Sequence, residues 1–129
     1  MRAQLRSVLS ADVDIDDYVP SDPEDDAVWL QFLVGPRGSI GEESFQVLVC
    51  TPLWLRREVM RHGPQIGLHH LIVEPLDLLA AIRFIQERIE RLDAPDWPEL
   101  GEKIGRIGQW EFEDYAPTRS DVWNDRKGT

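Results

Sequence analysis

The chain has 129 residues, which fits a single domain, and 42% of them are hydrophobic, enough to build a core without disulfides or a metal. Its 24 acidic and 14 basic residues give a net charge of −10, which argues against direct binding of nucleic acid and against docking on anionic membranes. One cysteine excludes an internal disulfide, and the lack of a signal-like or membrane-length apolar run indicates a cytoplasmic protein.

Strands are predicted in the first half of the chain. Residues 2–9 are expected to form a short strand, which leads into an acidic connecting segment at 10–27. Residues 28–34 and 45–50 are rich in β-branched and aromatic side chains, and Gly35-Pro36 is expected to end the first of these strands. Period-2 alternation assigns one set of side chains to a common buried face: Val28, Leu30, Phe32, Val34, Phe45, Val47 and Val49.

A helix is predicted immediately after the third strand. Thr51 is its expected N-cap, Pro52 suits the first helical position, and Gly63-Pro64 ends it. The apolar stripe of this helix is expected to face the core and comprises Trp54, Leu55, Val59 and Met60.

A fourth strand at 68–73 and two more helices complete the predicted elements. The longer helix follows Pro75, and its apolar residues recur at spacings of four and three: Leu78, Ile82, Ile85, Ile89 and Leu92. A break at 95–98 starts a shorter helix, whose buried face is Leu100, Ile104 and Ile107. Residues 110–113 alternate in a pattern typical of a final strand or a docked tail, and 120–129 are expected to fray.

This order predicts an α+β fold in one domain, 1–129. An antiparallel sheet of about four strands comes from the N-terminal half, and two or three C-terminal helices cover it. A parallel α/β sheet would need helices between the early strands, and the sequence has none there.

Familiar catalytic signatures are absent, and no cofactor or metal is expected. His69 and His70 would point to opposite faces of a strand, which disfavours a shared metal. Cys50 precedes a helix N-terminus, so a cysteine nucleophile assisted by His62 or His70 is one alternative. The other interpretation of Cys50 is a small buried hydrophobic residue.

The acidic segment is the main candidate site. It contains eight of the 24 acidic residues and no lysine or arginine, so the rest of the chain is close to charge balance. A calcium loop is disfavoured because Asp17 and Pro23 stand where such a loop needs glycine and glutamate. The segment is either a solvated loop or a binding surface for a cationic partner. Eight acidic and two aromatic residues form the proposed partner-binding set: Asp12, Asp14, Asp16, Asp17, Tyr18, Asp22, Glu24, Asp25, Asp26 and Trp110.

Other apolar side chains are candidates for the centre of such an interface. Tyr18, Trp110 and the loop around Ile40 are the ones that we select. Trp110 has a second interpretation, in which its ring folds back as a lid on the core.

Residues 45–55, Phe-Gln-Val-Leu-Val-Cys-Thr-Pro-Leu-Trp-Leu, resemble the immunity protein 8 family of bacterial polymorphic-toxin systems. The resemblance extends over about 1–75, through Ser-Ala-Asp-Val-Asp at 10–14 and Tyr-Val-Pro-Ser-Asp-Pro at 18–23. It implies a non-catalytic inhibitor made beside a toxin, and it assigns no catalytic residues. The expected partner is therefore a toxin domain.

The expected function is neutralisation of this toxin by stoichiometric binding, with the acidic surface against a basic toxin site such as that of a nuclease. Two alternatives stay open. One is a small cytoplasmic enzyme that uses Cys50 with a histidine, and the other is an acidic nucleic-acid mimic that binds a host protein.

Overall fold

A computed structural model describes residues 1–111 of the chain. The expectations for Phe112 and Glu113 of the alternating stretch and for the tail 120–129 lie outside the described residues. The elements in chain order are β1 (Ala3–Leu9), β2 (Ala27–Pro36), β3 (Glu43–Cys50), α1 (Pro52–His62), β4 (His70–Ile72), α2 (Leu78–Arg91), α3 (Trp97–Ile104) and β5 (Gln109–Trp110). None of the helices within 1–111 is long and apolar enough to cross a membrane.

The α+β class is confirmed, and the sheet is mixed. The strand order is β1-β2-β3-β4, and β5 pairs with the first half of β3 on the side where β4 pairs with its last three residues. The expected antiparallel pairing holds for β1, β2, β3 and β5, whereas β4 runs parallel to β3. The reason is the connection, because α1 carries the chain back to the end of the sheet from which β3 starts.

The predicted buried face of the sheet is confirmed. Every assigned side chain of β2 and β3 is buried and joins one core cluster. The helices α2 and α3 contribute to that cluster, α2 through Leu78, Ala81, Ile85 and Ile89 and α3 through Leu100 and Ile104. Ile82, Leu92 and Ile107 are only half-buried and pack against its rim.

The helix α1 has the predicted ends and a different environment. The Thr51 hydroxyl accepts a hydrogen bond from the Trp54 N–H, and Gly63 follows the helix with a φ of 86°. However, α1 buries none of its residues; Trp54 is half-buried and Met60 is 73% exposed. The prediction that its apolar stripe faces the core was wrong, because periodicity shows which residues share a face and not what covers it.

Strand β2 continues through Gly35-Pro36, where the sequence predicted its end. The Arg6 guanidinium donates to the carbonyl oxygens of Pro36 and Ser39 and so closes the following turn against β1. A Cβ on Gly35 would lie 2.1 Å from the Gly41 carbonyl oxygen, so glycine here permits a close backbone approach. Gly35 therefore permits a close approach between β2 and the turn that follows it and does not end the strand.

Candidate protein-binding surface

The acidic segment 10–27 is attached to the sheet at its start. The Ser10 hydroxyl donates to the carbonyl oxygen of Trp29 at 2.8 Å, and the Asp12 carboxylate accepts from the Trp29 N–H at 3.3 Å. The Ser10 Oγ also accepts from the backbone N–H of Asp12. The segment therefore leaves β1 in a defined direction.

Two of its aspartates fold the backbone into turns. The Asp14 carboxylate accepts from the Asp16 N–H at 3.2 Å, and the Asp22 carboxylate accepts from the Glu24 N–H at 3.0 Å. Such side-chain turns are a common use of aspartate in irregular segments, and here they hold the intervening residues in place.

The end of the segment is tied to two other elements. The Tyr18 hydroxyl donates to the Asp26 carboxylate, and the Asp26 N–H donates to the Thr51 hydroxyl at 3.1 Å. Asp25 forms an ion pair with Arg57 of α1. Thr51 therefore caps α1 and also accepts a hydrogen bond from the acidic segment. Neither this bond nor the ion pair of Arg57 with Asp25 could be predicted from the local sequence.

Apolar side chains of the segment complete its attachment. Val13, Ile15 and Tyr18 are half-buried and pack against the core cluster. The backbone N–H of Leu76 donates to the Pro23 carbonyl oxygen at 2.7 Å, which joins the segment to the start of α2. The segment is therefore an ordered layer on the body of the protein.

Three acidic side chains of this layer have no internal role. Asp16, Asp17 and Glu24 are exposed, and no group within 1–111 forms a hydrogen bond or ion pair with their carboxylates. Each of the other five acids has at least one carboxylate oxygen that accepts a hydrogen bond or forms an ion pair within the protein. The structure thus divides the predicted set into residues that build the layer and residues that project from it.

The pKa of Tyr18 gives a pH-dependent prediction. Burial first, then the hydrogen bond to Asp26 and its charge, raise this pKa from 10.0 to about 12. Because ionisation is harder in the folded chain, the free energy of unfolding should fall as the pH rises from about 10 to about 12 and should be unaffected by this group below that range. Tyr18→Phe should remove this loss in denaturation measured at a series of pH values; a variant with the same loss would contradict the assignment.

Trp110 is part of the core rim and lies away from the acidic segment. Its ring stacks on Phe45 with centroids 6.0 Å apart, and it covers Gly101 of α3, where a Cβ would approach it to 3.2 Å. The indole N–H groups of Trp110 and Trp97 both donate to the Glu43 carboxylate. A shared carboxylate of this kind has no sequence signature, because its three members are far apart in the chain.

The sheet register separates Trp110 from the end of the acidic layer. Trp110 pairs with Phe45, whereas the acidic segment ends beside Cys50, which pairs with Ala27. Five residues of extended strand span about 17 Å. Nine of the ten predicted residues lie in the acidic layer, whose end is distant from Trp110. The start of the layer is closer, because Asp12 lines a pocket with Gln46, and Gln46 pairs with Gln109.

Ile40 is also remote from the acidic layer. It is 95% exposed in the turn between β2 and β3, at the opposite end of β2 from residue Ala27. Of the three apolar candidates, only Tyr18 belongs to the layer.

Cys50 has the environment of a core residue. It is fully buried, and burial raises the pKa of its thiol from 9.0 to about 11, so that the thiol is protonated at neutral pH. His62 is at the exposed end of α1, and His70 pairs with Leu48 in the sheet register. No histidine of the described chain hydrogen-bonds the thiol. This geometry does not favour a cysteine nucleophile.

Removal of the Cys50 thiol is expected to change stability and not binding. Cys50→Ala should lower the free energy of unfolding by about 1 kcal/mol through lost apolar contact. In the unaltered protein, thiol reagents at neutral pH should modify Cys50 only at the rate of unfolding. A folded Cys50→Ala protein that has lost the function of the unaltered protein would restore the enzyme alternative.

Residues 1–111 contain no cluster of three or more acidic, histidine or cysteine side chains with the geometry to hold a metal ion. The Asp12 and Asp14 carboxylates at the start of the acidic segment instead accept backbone N–H groups. Their arrangement is that of turns rather than of an ion-binding loop.

Comparison with known proteins identifies a family. A family model described as immunity protein 8 matches residues 3–115, which include all the described strands and helices and the whole acidic segment. No curated protein and no solved structure matches the sequence.

Proposed function

Since the chain belongs to the immunity protein 8 family, we propose that it neutralises a cognate bacterial toxin by stoichiometric binding, with the acidic layer as the contact surface. The observation that supports the proposal is that the acidic side chains of segment 10–27 have two different roles. Five acids and three half-buried apolar side chains hold the layer in place, while Asp16, Asp17 and Glu24 project from it without internal partners.

A fixed acidic surface suits inhibition for two physical reasons. Clustered carboxylates repel one another, and a cationic partner relieves that repulsion while it is steered to the patch. A segment that is ordered before binding also loses less conformational entropy in the complex than a flexible one. Both effects favour rapid and tight association.

The chemistry of the layer favours a toxin with a basic substrate-binding site. Toxins that act on nucleic acids need such a site to bind phosphates. An acidic protein that covers it would exclude the substrate without any reaction of its own. The proposed partner is therefore a toxin domain, and no direct contact with nucleic acid is required.

Protection of cells is the direct test. The toxin domain encoded beside this chain would be produced alone and together with it, and the two proteins would be mixed for measurement of stoichiometry. The proposal predicts growth only when both are made and a complex of fixed stoichiometry. Turnover of the toxin's substrate or of the toxin itself by this chain, or capture of a host DNA-binding protein in place of the toxin, would overturn it.

A further inference from the structure

Strand β4 has an unpaired outer edge. The Leu48 N–H donates to the His69 carbonyl oxygen at 3.0 Å, and the Val73 N–H donates to the Cys50 carbonyl oxygen at 2.9 Å. Because alternate residues of a strand direct their backbone groups to opposite sides, His70 and Ile72 direct theirs away from β3. Within 1–111 no group pairs with these two N–H and two C=O groups.

An apolar groove runs along this edge. Its walls are β4 and the neighbouring side of α2, and its larger part has a volume of about 450 Å³. Ile72 is 55% exposed and Phe84 of α2 is 43% exposed, so that large apolar side chains border the unpaired backbone. Natural proteins protect strand edges with charge, proline or short length, and β4 contains neither charge nor proline and is protected only by its length of three residues.

The two ends of the groove carry opposite charges. Glu74 lines the end at which β4 leads to α2, where α2 begins. Arg88 and Arg106 line the other end, beside the residues that precede β4, and the Arg88 guanidinium lies 4.7 Å from the centre of the Phe84 ring. Leu71 and Phe84 line both parts and so mark the middle.

We propose that a second copy of this chain occupies the groove, with the two β4 strands paired antiparallel about a twofold axis at Leu71. Antiparallel pairing reverses one groove relative to the other, so the Glu74 end of each copy meets the Arg88 end of its partner. The surface is therefore complementary to itself, as an isologous contact requires.

The same axis satisfies the backbone. It places His70 of each copy opposite Ile72 of the other copy, which gives two symmetry-related pairs. Each pair exchanges two backbone N–H···O hydrogen bonds. All four outward N–H and C=O groups of each β4 are then used in four hydrogen bonds. The Phe84 side chains of the two copies approach each other next to the axis, and the sheet becomes continuous across the pair.

Repulsion limits the strength of this dimer. Each copy carries a net charge of −10, so association works against a long-range unfavourable field. The contact is independent of the acidic layer in its chemistry, and its test needs no toxin. Failure to observe the dimer would therefore leave the proposed function unaffected. Failure of the toxin-binding test would likewise leave the dimer proposal unaffected.

Sedimentation equilibrium of the full chain at several concentrations and at moderate salt tests the proposal. We expect a monomer–dimer equilibrium, with slower hydrogen exchange of the His70 and Ile72 amides as the concentration rises. Ile72→Pro removes one outward N–H and no bond to β3, and it should abolish the dimer. Ile72→Thr keeps that N–H and is the matched control.

Side-chain variants make the test independent of the proline substitution. Phe84→Glu should weaken the dimer at least about tenfold. Leu79→Glu adds the same charge to α2 at an exposed apolar residue that does not line the groove, and it should have a much smaller effect.

A charge exchange within one chain tests the twofold arrangement. Glu74→Lys and Arg88→Glu should each weaken the dimer, and the double variant should recover most of the loss. A protein that stays monomeric at every concentration overturns the proposal. So does a dimer that Phe84→Glu weakens no more than Leu79→Glu does, or one in which the double charge variant shows no recovery.

Discussion

Replacement of Asp16, Asp17 and Glu24 by lysine is expected to slow association with the proposed toxin partner at least about tenfold at low ionic strength and to remove most of its salt dependence. These three carboxylates project from the acidic layer without internal partners, so their reversal changes the field and leaves the supporting contacts in place. Stopped-flow association at several salt concentrations measures the effect.

A matched control reverses the same amount of charge elsewhere. Glu42, Glu87 and Glu102 are exposed and lie outside segment 10–27, so their replacement by lysine gives the same net charge. If the acidic layer is the contact surface, this control should slow association much less. Equal effects in the two triple variants would show that only total charge matters, and would remove the layer from the proposed interface.

Asp26→Ala is expected to lower the free energy of unfolding by about 2–3 kcal/mol, which is the scale for lost hydrogen bonds to a charged group. The Asp26 carboxylate accepts from the Tyr18 hydroxyl and from the Ala27 N–H, and both donors lose their acceptor in the variant. Urea denaturation measures the change, and circular dichroism checks that the variant is folded.

The control for Asp26 comes from the same segment. Asp16→Ala removes an exposed carboxylate that accepts no hydrogen bond from the described chain, and its effect should lie within about 0.5 kcal/mol. The two substitutions thus separate layer-building acids from projecting ones. Equal stability of the two variants would mean that the attachment of the layer does not depend on Asp26.

This division could not be predicted from the sequence. The clustering of eight acids in one segment is visible in the sequence. The tendency of an aspartate carboxylate to accept from the backbone N–H two residues later is also a local property. The Asp25 carboxylate pairs with Arg57, and the backbone N–H of Asp26 donates to the Thr51 hydroxyl; strands β2 and β3 separate both partners from the segment in the chain. Contacts over such separations depend on the sheet register, which no local pattern specifies.

The environment of the aromatic and apolar residues shows the same limit. Trp110 was a candidate anchor, and the structure uses its ring and its N–H group within the core rim beside Phe45 and Glu43. The stripe of α1 was expected in the core and is largely exposed. Periodicity identifies a face, and only the packing of neighbouring elements decides whether that face is covered.

By itself the sequence determined what depends on near neighbours: the alternation that buries one face of β2 and β3, the Thr51 cap and Gly63 stop of α1, and hence the α+β class. The tertiary structure alone decided the parallel pairing of β4, its unpaired edge and the choice of which acids project from the layer. Local conformation follows from steric and hydrogen-bond preferences of a few consecutive residues. Register, coverage and partner choice depend on side chains that folding brings together from distant parts of the chain.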